Sequence, residues 1–197
     1  MDAPLGGGLR VVKLGGSLLS RANLATDLRD WSRRQPPVSA NLYVIGGGPL
    51  LNAVRQLDAV HGFDPQAMHW RCVRMLRFSF ELLGELIPEW AAIETPADFE
   101  ARRAQRNFAG HTRVAVDSFF TPQCDGSLAP SWSTTTDSIA AFLASLIAAD
   151  ELVVLKSCDV DARQSLPDQV RAGLLDPQFP AAAADIAGLR IEQLPGT

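Results

Sequence analysis

Lysine is almost missing from this chain: two of 197 residues, Lys13 and Lys156, against sixteen arginines. Neither position reads as one of many interchangeable surface charges, so both carry information. Cysteine is sparse as well. Cys72, Cys124 and Cys158 are odd in number, far apart and without CxxC spacing, which argues against a disulfide framework or a zinc site and for reduced thiols in a cytoplasmic protein. No apolar run approaches the roughly 18 residues that span a bilayer. The segment "MDAPLGGGLR" has no basic stretch followed by an apolar one, so residues 1–9 read as a flexible lead-in and not as a signal peptide. At a net charge of −4 there is no basic excess to attract a polyanion, and nucleic acid is not an expected partner. The Walker A phosphate loop (GxxxxGKS/T) and the dinucleotide fingerprint (GxGxxG) are both absent.

What remains is the composition of a globular domain, 47% hydrophobic and 20% charged, with length enough for one core over residues 10–197. Short apolar runs alternate with segments of helical period. "LRVVKL" is a β-branched run closed by Gly15-Gly16, and "NLYVIGGG" repeats the strand-then-glycine unit. Between them, "SLLSRANLATDLRDWSRRQ" predicts a helix carrying Leu18, Leu24, Leu28 and Trp31, stopped by Pro36-Pro37. "PLLNAVRQLDAVH" predicts a helix with proline in its first turn. "DPQAMHWRCVRMLRFSFELLGELI" predicts a long one with Met68, Cys72, Met75, Leu76, Leu82 and Leu83 on its apolar face and Arg71, Arg74 and Arg77 mostly opposite. Further along, "PADFEARRAQRNF" predicts a charged helix, "TRVAVDSFF" a strand, "TPQCDGSLAPSW" a loop and "TTTDSIAAFLASLIAADE" a buried helix. "LVVLKSCDV" reads as a strand, "LPDQVRAGLLDPQF" as a short helix and "AGLRIEQL" as a final strand. Such alternation implies an α/β fold with a mainly parallel sheet covered on both faces.

Ligands of such sheets bind beyond the carboxyl ends of the strands. That rule gathers Lys13, Gly15, Gly16 and Ser17, then Gly46, Gly47 and Gly48, then Lys156 and Ser157, at one edge. Each glycine cluster joins a strand to a helix, where backbone amides and the positive helix end can cradle phosphates; tight βα turns alone would also need them. A lysine at a strand end is costly to bury unless it serves an anion, the alternative being a side chain that snorkels to solvent. Ser133, Thr134, Thr135 and Thr136 precede Asp137 at a helix start. Capping explains part of that run, and Asp137 could hold the lysines or help position a metal. Lys156 could meet a nucleotide phosphate, with Ser157 and Asp159 close behind.

The segments "VVKLGGSLL", "YVIGGGPLLNAVR", "WSTTTDSIAAFLA" and "LVVLKSCDV", in that order, resemble the amino acid kinase superfamily over roughly residues 10–160. That group includes acetylglutamate, aspartate, uridylate, carbamate and isopentenyl phosphate kinases. Within it, "GGGPLLNAVR" followed by Asp58, His61 and His69, with a tryptophan ahead of "TTTDSIAAFLA", looks most like the small methanofuran-biosynthesis kinases. The resemblance implies a three-layer αβα sandwich, ATP and Mg2+ as cofactors, a small-molecule acceptor, and a homodimer. By that likeness Lys13 would bridge the transferring phosphoryl group, and Gly15, Gly16, Gly47 and Gly48 would offer amides to phosphate or acceptor. Asp137 would organise the lysine and the metal-bound phosphates, and Arg55 would bind an anionic acceptor or remain a solvated helix arginine. His61 and His69 are not at metal-ligand spacing.

The chain departs from the family pattern after its fourth strand. "KSCDVDA" places Val160 where a glycine is expected, no lysine follows Lys156, and the tail is short for a nucleotide half. Either Lys156 substitutes for the missing second lysine, or the chain is a non-catalytic homologue that binds a ligand or a partner. An unrelated α/β enzyme is the third reading.

Overall fold

The structure is a computed structural model that describes residues 7–196. The expected lead-in falls mostly on residues 1–6, which lie outside the described residues; Leu9, at its far end, already belongs to the first strand. Among the described residues the elements run β1 (Leu9–Leu14), α1 (Leu24–Arg33), β2 (Ala40–Ile45), α2 (Gly48–His61), α3 (Pro65–Leu86) and β3 (Ala91–Ile93). They continue as α4 (Pro96–Gln105), β4 (Gly110–Val114), α5 (Thr136–Leu146), β5 (Glu151–Lys156), α6 (Leu166–Arg171), α7 (Phe179–Ala182) and β6 (Gly188–Gln193).

The strands form one six-stranded sheet in the order β3-β4-β2-β1-β5-β6, and every pairing is parallel. Helices cover both faces, so the central strands are apolar on both sides, as parallel sheets require. In β1, Val11 joins one buried cluster with Leu42 and Val44 of β2, Val154 of β5 and Ile139, Ala140 and Leu143 of α5. Val12 and Leu14 point the other way, into a second cluster with Leu24, Leu28 and Trp31 of α1. The period-2 alternation of a strand thus splits one apolar run between two cores. Each fully buried Val or Leu contributes about 1.5–3 kcal/mol of transfer free energy.

Three local expectations differ from the structure. The segment after Gly15 is broken in two: a 3-10 turn over Gly16–Ser20, an extended Arg21 (φ −84°, ψ 127°), then α1. Arg21 is held there by donating to the Leu194 carbonyl at 2.8 Å and by an ion pair with Asp27 at 3.5 Å. Leu18 still packs with Leu24, Leu28 and Trp31. "TRVAVDSFF" is a strand only as far as Val114. A 3-10 turn over Val116–Ser118 follows, closed by the Ser118 hydroxyl donating to the Ala115 carbonyl at 2.7 Å. In α3 the buried stripe runs through Met68, His69, Cys72, Val73, Leu76, Ser79, Phe80 and Leu83. Met75 lies about 100° round the helix from Leu76 and is exposed, while Leu82 is only half-buried. The strand β3 was not expected; three residues are too few to show a period.

Among the described residues no helix is long and apolar enough to cross a membrane. Leu57 and Val60 of α2, Phe63 beyond it, and Met75, Phe78 and Leu86 of α3 are large apolar side chains left exposed.

Candidate active site

The site begins with register. Lys13 of β1 lies opposite Val154 of β5, so Lys156 stands two residues further along the neighbouring strand, on the same face and about 6.6 Å on. The N-terminal turn of α5 faces both. Thr135 caps this helix, accepting from the Asp137 amide, and Asp137 in the first turn points back at the strand ends. Its carboxylate takes the Lys13 ammonium at 2.7 Å on Oδ1 and the Lys156 ammonium at 3.0 Å and 2.9 Å on its two oxygens. All three side chains are buried. Burial alone would push the Asp137 carboxyl up, but the charges and hydrogen bonds of the two lysines outweigh it and hold the group below the ordinary carboxylate value. Lys156 is pulled down to about 8 by burial and by the Lys13 charge, with Asp137 opposing. Two ammonium groups share one carboxylate, and among the described residues neither donates to anything else. Buried N–H donors are left unspent.

The glycines explain how the strand ends are packed. A Cβ on Gly16 would stand 2.0 Å from the Gly48 nitrogen and 2.7 Å from the Gly46 carbonyl carbon. Gly48, at φ +52°, would place one 2.2 Å from the Gly16 oxygen, and a Cβ on Gly46 would meet the Thr136 hydroxyl at 2.8 Å. The two turns therefore interlock backbone to backbone beside Thr136. Gly15 donates to the Leu155 carbonyl at 2.8 Å and Gly46 to the Leu14 carbonyl at 2.9 Å, extending the sheet. Ser17 and Ser157 share a hydroxyl hydrogen bond of 2.6 Å across the β1 and β5 turns. Asp159 is exposed and forms no ion pair with either lysine.

A pocket of about 160 Å³ opens beside the interlocked turns, between α2, α3 and the loop before α5. Gly16, Gly46, Gly47 and Gly48 form one wall, with Thr134, Thr135 and Thr136 beside them; Leu51, Val73, Leu76 and Ile139 make the apolar lining. At its rim the Arg55 guanidinium stacks on the Trp132 ring, 4.7 Å from the centroid, and Trp132 donates from Nε1 to Asp58 at 2.5 Å. His69 lines the pocket and shares a 3.2 Å hydrogen bond between Nδ1 and the Ser131 carbonyl. The Ser131 carbonyl can only accept, so Nδ1 donates; burial lowers the pKa and favours the neutral ring, with Nε2 lacking a partner among the described residues. His61 does not join it; it is exposed beside Phe63. Among the described residues no three His, Cys, Asp or Glu side chains gather as a metal cage, and both Asp137 oxygens already face ammonium groups.

Two residues of the site went unnoticed in the sequence. Asp176 and Gln178, between α6 and α7, reach back to the N-terminal turn of α5 and to the loop that walls the pocket. "DPQ" carries only a turn signal, and nothing in it reports a contact about forty residues away.

This all-parallel sheet with helices on both faces is a fold shared with solved UMP kinases. Similar solved structures include the uridylate kinase of Archaeoglobus fulgidus: TM-score 0.60, 20% identity, covering 95% of this chain and 91% of that one. The UMP kinase of Ureaplasma parvum is similar at TM-score 0.59 and 14% identity (95% and 90%), and the UMP kinase of Bacillus anthracis at 0.62 and 16% (96% and 88%). At such identities the likeness is one of fold. No protein-family model matches the chain, and no curated protein matches it in sequence.

Proposed function

We propose that this protein is an ATP-dependent small-molecule kinase whose site is centred on Lys13, Asp137 and Lys156. One observation carries the reading: two buried ammonium groups share a single carboxylate at the mouth of a parallel sheet, beside a glycine-walled pocket. That surplus of positive charge suits an anion chain that passes from nucleotide to acceptor. An acceptor oxygen attacks the γ-phosphorus, the β–γ bridging bond breaks, and its electron pair leaves on ADP. Phosphoryl transfer of this kind needs positioning and charge neutralisation more than a base. Lys13 would stabilise the charge on the transferring group and Lys156 the nucleotide phosphates, with Ser157 and Asp159 near the nucleotide. Asp137 holds both ammonium groups in place. The amides of Gly15, Gly16, Gly46, Gly47 and Gly48, the hydroxyls of Ser17, Thr135 and Thr136, and Arg55 would bind phosphate or acceptor. Mg2+ would arrive on the ATP phosphates and neutralise their charge.

The acceptor we favour is smaller than a nucleotide, because the pocket lies below the roughly 300 Å³ at which drug-sized sites begin. A carboxylate, a small phosphate or the aminomethyl-furan phosphate of methanofuran biosynthesis fits that bound. Residues 10–197 would act as one domain, in the cytoplasm. The exposed apolar side chains of α2 and α3 would pair two copies.

The test is ADP release and a 31P NMR acceptor panel with ATP and Mg2+, alongside thermal melts. Turnover with one small acceptor, lost in Lys13→Ala, supports the reading. No melting shift across a nucleotide panel sinks it in favour of a non-catalytic homologue.

A further inference from the structure

Asp176 is buried in the turn between α6 and α7, anchored on either side by the core residues Leu175 and Phe179. Five donors converge on its carboxylate. Oδ2 accepts from the Thr135 amide at 2.9 Å, the Thr135 hydroxyl at 2.8 Å and the Ser138 amide at 3.1 Å. Oδ1 accepts from the Ser138 hydroxyl and from the Gln178 amide, the latter at 3.0 Å. The carboxylate thus serves the N-terminal turn of α5 from outside the helix, where unpaired amides and the helix dipole favour a negative charge. Asp137 lies between the two residues it grips. Gln178 extends the hold, accepting from the Ala129 amide at 3.1 Å and donating to the Ser133 hydroxyl at 3.2 Å.

We propose that Asp176 is a positioning residue for phosphoryl transfer, locking the first turn of α5 so that Asp137 meets both lysines. The inference rests on the kinase reading of the site. A capping role alone would be satisfied by any acceptor of hydrogen bonds. The electrostatic part is separate, since Asp176 acts on Lys156 by its charge, together with Asp137 on α5 and Lys13 on β1.

The scarcity of lysine makes this measurable. Lysine labelled with 13C at Cε gives two side-chain lines, one each for Lys13 and Lys156, assigned by Lys13→Arg. In Asp176→Asn the Lys156 titration midpoint, about 8 in the parent, moves to lower pH. ADP release falls at least about tenfold, as loss of a buried charged hydrogen-bond partner predicts. In Ser138→Ala, a mild change that removes one donor and keeps the carboxylate, the midpoint stays while ADP release falls severalfold. This second variant keeps the test alive if Asp176→Asn does not fold. An unmoved Lys156 line in folded Asp176→Asn, or full ADP release in Ser138→Ala, overturns the proposal. If the parent itself releases no ADP, the kinase reading fails, and the lysine lines still decide the charge effect of Asp176.

Discussion

Two charge clusters occupy opposite corners of β1 and β5, and they are built differently. Near the amino ends, Arg10 ion-pairs with Glu151 and donates to Asn41 Oδ1 and the Pro36 carbonyl, both at 3.1 Å. Arg190 donates to Glu151 at 2.6 Å, Glu192 at 3.2 Å and Gln35 at 2.8 Å. Every side-chain nitrogen of both arginines is used. At the carboxyl ends, on the other face, Lys13 and Lys156 share Asp137 and keep donors in reserve. Arginine's planar fork suits a closed network, whereas a lysine ammonium is a compact charge free to turn toward a ligand. A saturated cluster holds strands together; an unsaturated one has donors to offer an anion.

Breaking each corner in turn should separate these roles. Lys13→Met is expected to cost about a thousandfold or more in turnover, measured by ADP release, with a melting temperature close to the parent's. Arg10→Met should do the reverse. It leaves Asn41 and the Pro36 carbonyl without their donor and Glu151 with Arg190 alone, and destabilises by about 1–3 kcal/mol in urea titrations, with turnover per folded molecule retained.

Titration sharpens the contrast. As Lys156 loses its proton above about 8, ATP affinity in the parent should weaken by about tenfold per pH unit, read by isothermal calorimetry. A flat profile to pH 10 would mean that Lys156 does not meet the nucleotide. The arginine corner responds at the acid end. Burial pushes the Glu151 carboxyl up, but hydrogen bonds from Arg10 and Arg190 prevail and hold it below its ordinary 4.5. The folded form therefore takes up that proton less readily than the unfolded chain. The stability it contributes is full above the unfolded value and drains away as pH falls through the lower folded value. Relative to Glu151→Gln, the parent should lose its advantage in acid melts below about pH 4.5. The smallest effect is expected at Glu192: Glu192→Gln can still accept from Trp31 Nε1 and should cost about 0.5–1 kcal/mol, since its charged partner Arg190 is partly exposed.

The same contrast explains what the sequence made legible. Strands, helices and parallel order follow from period and punctuation, and the lysines stood out because they are rare and end apolar runs. Local signals also placed Asp137, beside the hydroxyl run that caps α5. The contacts that complete the site were hidden because they are tertiary. Asp176 serves a helix that begins forty positions earlier, and the interlock of Gly16 with Gly48 joins turns thirty residues apart. Either glycine cluster alone reads as an ordinary βα turn. The Met75 error has another cause: an apolar residue one step off the stripe is indistinguishable from a core residue without knowing what packs there.

The sheet order has a consequence for synthesis of the chain. Among the described strands β1 is made first and ends up central, between β2 and β5. Its β2 partner emerges within about thirty residues, but the other edge waits for Glu151 and its successors. At the ribosome's 5–20 residues per second, that is a delay of roughly 7–30 seconds. For that interval an edge of Leu, Val and Val is open to pairing with any neighbouring nascent chain. Arg10 and Lys13 flank the two valines, spacing charges along the edge most exposed to aggregation. The residues that later pair with Glu151 and Asp137 first space charges along the unfinished edge.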